Sequence, residues 1–244
     1  MVRATSYGPF TMFSKAVPEH FGLSFSTSGE GTTSNCDSRC RLLELCYAVR
    51  LERIYKSLNE KLSRHHRTGA IDLVAQAIEA LKDKPLRWAR LSVDGSLPKR
   101  EQFSREQWSI FCRLLRELVQ RALDLGAKWH IPVESKSKAR SYRAALKGLP
   151  VVVRRSDQSR TVAGLLKSDD ARSWVAVADE LHSGCVTQSE KDRNTAYARQ
   201  CALQCRTAGQ TAVVCPAVAG SSHCGDCTAC ASDLVDIIFY PFHG

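Results

Sequence analysis

Three cysteines near the start of the chain, Cys36, Cys40 and Cys46 in NCDSRCRLLELCYA, follow the spacing C-x3-C-x5-C. Three thiolates can hold three irons of a cubane and leave the fourth iron open to a substrate or cofactor, with a potential set by burial and by hydrogen bonds to sulfur. Near the other end, Cys215, Cys224, Cys227 and Cys230 in CPAVAGSSHCGDCTAC supply four more thiols. Two successive C-x2-C steps bring three of them together at little backbone cost, and Pro216 stiffens the chain beside the fourth. Zinc usually takes two separated pairs of ligands, whereas three cysteines at C-x2-C-x2-C suit an iron–sulfur loop. Iron–sulfur is therefore the favoured occupant and zinc the alternative.

Other candidates are weaker. Cys201 and Cys205 form a C-x3-C pair that either metal could use, or that could complete a site with the first trio. Cys46 also falls on the apolar face of a helix pattern, where it could be a small buried hydrophobe. Cys112 and Cys185 read as structural or free thiols. Of His65, His66, His130, His182, His223 and His243, only His223 stands beside a cysteine cluster. Disulfides are the competing use of so many cysteines, but 11 is an odd number, and MVRATSYGPF has no apolar run resembling a secretion signal. The expectation is metal in a reducing cytoplasm.

The elements that must position these groups alternate along the chain. With 244 residues, 43% of them hydrophobic, the chain can bury a substantial core. No stretch approaches the roughly 18 apolar residues of a bilayer span, so no membrane partner is expected. GLSFST (22–27) reads as a strand that feeds the first cysteine loop, and the spacing from Leu42 to Leu62 predicts a helix. A second helix is expected over 70–82, then a strand in RWARLSVDG. Ser104 and Gln107 have capping-box spacing and Gly126 is a stop, which predicts a helix over 104–125. KWHIPVES, GLPVVVRRS, SWVAVADE, TAVVCPA and VDIIFYPFH supply further strands, with a helix in KSKARSYRAAL.

This alternation argues for parallel strands with right-handed crossovers. The expected fold class is α/β, a partial or irregular (β/α) barrel with a cysteine-rich C-terminal module. Residues 1–21 form an N-terminal extension, 22–200 the core with its cysteine loop, and 201–244 the module that completes the sheet. Polar residues follow the apolar runs at Asp94, Glu134, Ser135, Arg155, Ser156, Asp157, Asp179 and Glu180, the end of parallel strands where ligands bind; any one of them alone is equally a loop residue or cap.

The order of motifs, C-x3-C-x5-C-Y-A, a strand ending in Asp-Gly, then C-P, C-x2-C-x2-C and a last strand ending in His243, resembles the phage gene-product-eighty-eight family from about residue 22 onward. The resemblance implies an origin in a phage or other mobile element. More distantly, the first motif and the α/β alternation are similar to radical S-adenosylmethionine enzymes, which place a three-cysteine cluster loop after the first strand of a partial barrel. That resemblance implies an open iron that binds the amino and carboxylate groups of S-adenosylmethionine, and an electron donor for its cleavage. It also implies that Asp94 meets the cofactor's ammonium, with Gly95 beside it in the cofactor site, and that Glu134, Ser135, Arg155 and Asp157 line the same mouth. The usual spacing is C-x3-C-x2-C and a Gly-Gly-Glu follows the second strand; here the last gap is longer and Ser92-Val93-Asp94-Gly95 stands in that place.

Charge gives a second functional reading. Lys and Arg number 35 against 25 Asp and Glu, a formal +10, with local runs at Arg64 to Arg67 and at Lys136, Lys138, Arg140 and Arg143. Such charge suits a nucleic acid or other polyanion, with metal centres acting only as staples of the fold. No Gly-x-Ser-x-Gly, Walker or paired-histidine zincin motif is present, which removes several hydrolase and nucleotide-triphosphatase classes.

Overall fold

A computed structural model describes residues 6–7, 10–11, 19–23, 25, 69–81, 85–91, 97–157, 162–166, 173–177, 187–220 and 227–241. The expected helix at 42–62 and residues Cys36, Cys40, Cys46, Asp94, Gly95 and Cys224 lie outside them.

Nine strands form one sheet among the described residues: β1 (Ser6–Tyr7), β2 (Phe10–Thr11), β3 (His20–Leu23), β4 (Trp88–Leu91), β5 (Lys128–Val133), β6 (Val153–Asp157), β7 (Ser173–Val177), β8 (Ala212–Val214) and β9 (Ile237–Pro241). The order is β1-β2-β3-β4-β5-β6-β7-β9-β8. The first two strands pair antiparallel, β1 with β2 and β2 with β3, so the segment expected as an extension contributes to the sheet edge. From β3 to β8 every pairing is parallel.

Strands β3 to β7 follow one another in sequence order. Crossovers of one hand that always step the same way place their helices on one face, and the packing agrees. Helices α1 (Ala70–Ala80), α2 (Arg105–Asp124) and α3 (Lys136–Ala145) share an apolar cluster with Phe21, Leu23, Ala89, Leu91, Trp129, Ile131, Val133 and Val153. These are alternate residues of β3 to β6, which strand pleating turns to one side. Register carries that side across to Val175, Ile237, Phe239 and Ala212, where α5 (Gln188–Thr207) packs Ala198, Cys201, Ala202 and Cys205 against them. A short helix, α4 (Val162–Leu166), lies between β6 and β7.

Local chemistry fixes the helices. Ser104 accepts from Gln107 N at 3.1 Å while the Gln107 side chain accepts from Ser104 N at 2.9 Å; this reciprocal cap begins α2. Gly126, at φ 93°, turns the chain into β5 just beyond it, with Leu86 O 3.1 Å from where a Cβ would stand. Phe103, Trp108, Phe111 and Tyr142 interlock their rings on this side, and Trp129 donates from Nε1 to Val119 O at 3.1 Å, tying β5 to α2.

The periodicity predicts neither the short α4 nor the long helix α5. Its buried side is made of Ala and Cys, which carry a weak apolar signal, and its ends are polar. The cap was readable all the same: Thr187 accepts from Glu190 N at 3.3 Å and Glu190 reaches back to Thr187 N at 2.6 Å, the spacing T-x-x-E of a capping box.

Candidate functional site

Parallel strands put their carboxyl ends on one edge of the sheet. The first cysteine segment follows β3, Asp94 and Gly95 follow β4, Glu134 and Ser135 follow β5, and Asp157 ends β6. Glu134 and Ser135 therefore lie beside Arg155 and Asp157, because Val133 pairs with Arg155 on the neighbouring strand. Both β5-end residues have structural work. Ser135 is the N-cap of α3 and accepts from Lys138 N at 3.2 Å. Glu134 pairs with the Lys138 ammonium, which is 4% exposed and also donates to Leu97 O. Opposite charges one turn apart at the start of a helix make a buried ion pair that holds this corner closed. Tyr142, fully buried on the same helix, donates to Pro98 O at 2.9 Å; burial, then Cys112 and Glu134, pushes its hydroxyl well above the usual range.

The cysteines separate into two environments. Cys201 and Cys205 lie on the buried side of α5 in an apolar cluster. Burial pushes both thiols up, so the neutral thiol is favoured over the thiolate that a metal needs. Their side chains face Val175, Ala198, Ala212, Ile237 and Phe239 in that cluster. Cys112, half-buried on α2, is a free thiol raised for the same reason. Cys215 is buried just after β8, its N–H donating to Phe239 O at 2.7 Å. Cys227 and Cys230 are half-buried at the start of the segment that returns the chain to β9, around the 3-10 turn Ala229–Ala231. Among the described residues no three His, Cys, Asp or Glu side chains are gathered as a metal site.

What holds the return segment is a residue that sequence reasoning passed over. Arg154, between Val153 and Arg155 on β6, is completely buried and points away from the helices, the opposite way to Val153. Its Nε donates to Cys230 O at 2.9 Å, one terminal nitrogen to Asp236 O at 3.3 Å, and the other to Ala229 O, Ser232 O and Val235 O at 3.2, 2.5 and 2.9 Å. Five carbonyls of residues 229–236 thus converge on one guanidinium, which presents its donors as a planar fork. The C-terminal cysteine segment is pinned to the face of the sheet opposite α1, α2, α3 and α5. The signal was an arginine at a central position of VVVRRS, inside an apolar strand.

The same face is cationic farther along. Arg90 of β4 sits in register between Gly22 of β3 and His130 of β5, and His20 lies two residues before Gly22 on that side of β3. Burial and Arg90 lower His20 to about 4. Burial, Arg90 and Arg154 lower His130 well below its ordinary value. Both imidazoles are held neutral at pH 7, by burial first and by the neighbouring guanidinium groups second.

On the helix side, a cleft of about 400 Å³ opens between the first turn of α1 and the start of α2, lined by Asp72, Gln102, Phe103 and Gln107. None of these residues belongs to the strand-end group. No described helix is long and apolar enough to cross a membrane. In comparison with known proteins, the chain matches no family model, no curated protein and no solved structure.

Proposed function

We propose that the chain is an iron–sulfur protein of a phage or other mobile element, an enzyme of the radical S-adenosylmethionine type on a sheet that curls as a partial barrel. The observation that supports this reading is the sequential order of parallel strands β3 to β7. In this reading the cysteine segment that follows β3 in sequence shares an edge with the residues that follow β4, β5 and β6. In this reading Cys36, Cys40 and Cys46 hold the cluster, and Cys215, Cys224, Cys227 and Cys230 form an auxiliary centre.

When bound, the cluster supplies an electron to S-adenosylmethionine, itself delivered by a separate donor. The chain's own residues orient and shield. Asp94 and Gly95 receive the cofactor's ammonium, and Arg155 and Asp157 line the mouth beside them. Glu134 and Ser135 belong to the same edge but serve as its frame, through the Lys138 ion pair and the α3 cap. Arg154 keeps Cys227 and Cys230 against the sheet by holding the carbonyls around them.

Anaerobic purification with iron, sulfide and zinc analysis tests the reading, together with electron paramagnetic resonance of the reduced protein with and without S-adenosylmethionine. A cubane signal that shifts on addition of the cofactor supports an open iron. Zinc without iron would replace the enzyme with a second reading, a metal-stapled protein that binds nucleic acid, favoured by the net charge of +10. That protein would bind with an affinity falling steeply with salt and would leave S-adenosylmethionine unconsumed.

A further inference from the structure

The helices on the packed side of the sheet differ in charge. Helix α1 carries Asp72 and Glu79 and no base. On α2, Glu106, Glu117 and Asp124 nearly balance Arg105, Arg113, Arg116 and Arg121; on α5, Glu190 and Asp192 stand among Lys191, Arg193, Arg199 and Arg206. From Ser135 to Leu149, in contrast, α3 and the turn after it hold Lys136, Lys138, Arg140, Arg143 and Lys147 with no acidic residue.

Two of these cations are committed inward: Lys138 to Glu134 and Leu97 O, Arg143 to Val153 O at 2.9 Å. Lys136, Arg140 and Lys147 are exposed. Arg116 of α2 joins them at one end, donating from Nη1 to Ala145 O and Lys147 O, both at 2.9 Å. Arg105, exposed at the start of α2, is about three turns back on that same side of the helix. Glu117, the residue after Arg116, is turned about 100° away from it.

The character of this surface selects its partner. Lys136 to Lys147 spans about 16 Å of helix, several phosphates of one duplex strand at about 3.4 Å each. The large apolar side chains exposed among the described residues are Leu166, Leu203 and Leu234, none of them on α2 or α3. A membrane-bound helix needs an apolar side and a protein interface an apolar centre; this surface has neither. Single strands are held by stacking on aromatic rings, and the aromatic residue of α3, Tyr142, is buried. A row of phosphates, bound with release of counter-ions, is the match for such a surface.

We propose that α3, with the adjoining side of α2, is a docking surface for the phosphate backbone of duplex nucleic acid, with Arg140 at its centre and Lys136, Lys147 and Arg105 around it. This surface rests on the nucleic-acid reading and gives it a place on the molecule, whatever the cysteines hold.

The test is fluorescence anisotropy of a labelled short duplex of mixed sequence with the full chain, over a series of salt concentrations. The logarithm of the binding constant should fall linearly with the logarithm of salt. Arg140→Gln combined with Lys147→Gln should reduce that slope by about 2, roughly one for each charge removed. Arg193→Gln combined with Arg199→Gln on α5 removes the same charge and should leave the slope unchanged. All four positions are exposed, so the fold should tolerate the changes. An unchanged slope in the α3 variant, or an equal drop in the α5 variant, would overturn the surface and leave the nucleic-acid reading standing. No binding of the duplex at low salt would overturn both. Tighter binding to polyglutamate or to phosphatidylserine vesicles than to the duplex would overturn the surface in favour of an acidic protein or a membrane.

Discussion

The two faces of this sheet are built on opposite principles. On the helix side, Trp129, Ile131, Val133 and Val153 meet the apolar residues of α1, α2 and α3, and the sheet is held by hydrocarbon packing. One residue away along the same strands, His130 and Arg154 turn to the other side, where a buried imidazole and a buried guanidinium stand beside the apolar Trp88 and Ile238. Packing on the first side is nonspecific enough to tolerate exchange of similar volumes. The second side depends on individual donors finding individual acceptors. The second side also carries the return segment with Cys230, held through its carbonyl by Arg154.

The sharpest way to break that contrast is Arg154→Ala. Removing one fully buried guanidinium takes the donor from five part-buried carbonyls at once, and the expected loss is about 3 kcal/mol, as for breaking a buried charged network. Urea denaturation measures it. The loss should be accompanied by faster thiol labelling of Cys227 and Cys230, while Cys201 and Cys205 stay protected until global unfolding. Arg154→Lys should rescue little, because one ammonium cannot fork to five acceptors. Labelling that rises equally at all four cysteines would mean that the return segment is not a separately pinned unit.

A smaller effect separates the two cysteine environments. Cys205 is fully buried among Val175, Ala198 and Phe239, so Cys205→Ala leaves a minor void worth about 1 kcal/mol. Cys205→Ser buries a hydroxyl in the same place and should cost about 2 kcal/mol. Neither change should alter metal content. Equal destabilisation by both, with metal lost in each, would make Cys205 a ligand.

Much of the architecture could be read in advance, because it rests on local signals. Ser104, Gln107 and Gly126 marked α2, and the apolar runs in KWHIPVES and VDIIFYPFH marked β5 and β9. The alternation of strands and helices gave parallel pairing. Helix α5 escaped because Ala and Cys pack closely while registering weakly in periodicity. The role of Arg154 escaped for a different reason: its partners lie some 75 to 82 positions away, and nothing in the strand itself says which backbone it will meet. Glu134 and Ser135 are cofactor contacts only by the resemblance to radical S-adenosylmethionine enzymes; the ion pair and cap they also make come from α3, which begins immediately after them.

Acid should undo the cationic face before the apolar one. His20 titrates near 4 in the folded protein and near 6.5 when unfolded. The unfolded chain therefore binds more protons between those values, and stability present above pH 6.5 is lost as pH falls through 4. The contribution of His20 alone is on the order of 2 kcal/mol after allowance for its partial exposure, and His130 acts in the same direction. Arg90→Gln removes a charge that lowers both imidazoles, so its acid unfolding midpoint should move to lower pH. A midpoint that moved upward would assign the acid sensitivity to groups elsewhere.

The smallest change tests the helix side by itself. Ser104→Ala deletes the hydroxyl that accepts from Gln107 N and leaves the return bond from Gln107 with half its box. The expected cost is about 1 kcal/mol, seen as a shifted denaturation midpoint with an unchanged slope. Helix α2 packs on Trp129 and Phe21 through the apolar cluster, yet the donors of Arg154 leave the opposite side of the sheet. Thiol labelling of Cys227 and Cys230 under native conditions should consequently match wild type in Ser104→Ala. Faster labelling in this variant would show that the cap stabilises both faces through the strands, and the separation between an apolar scaffold and a polar working face would fail at its mildest test.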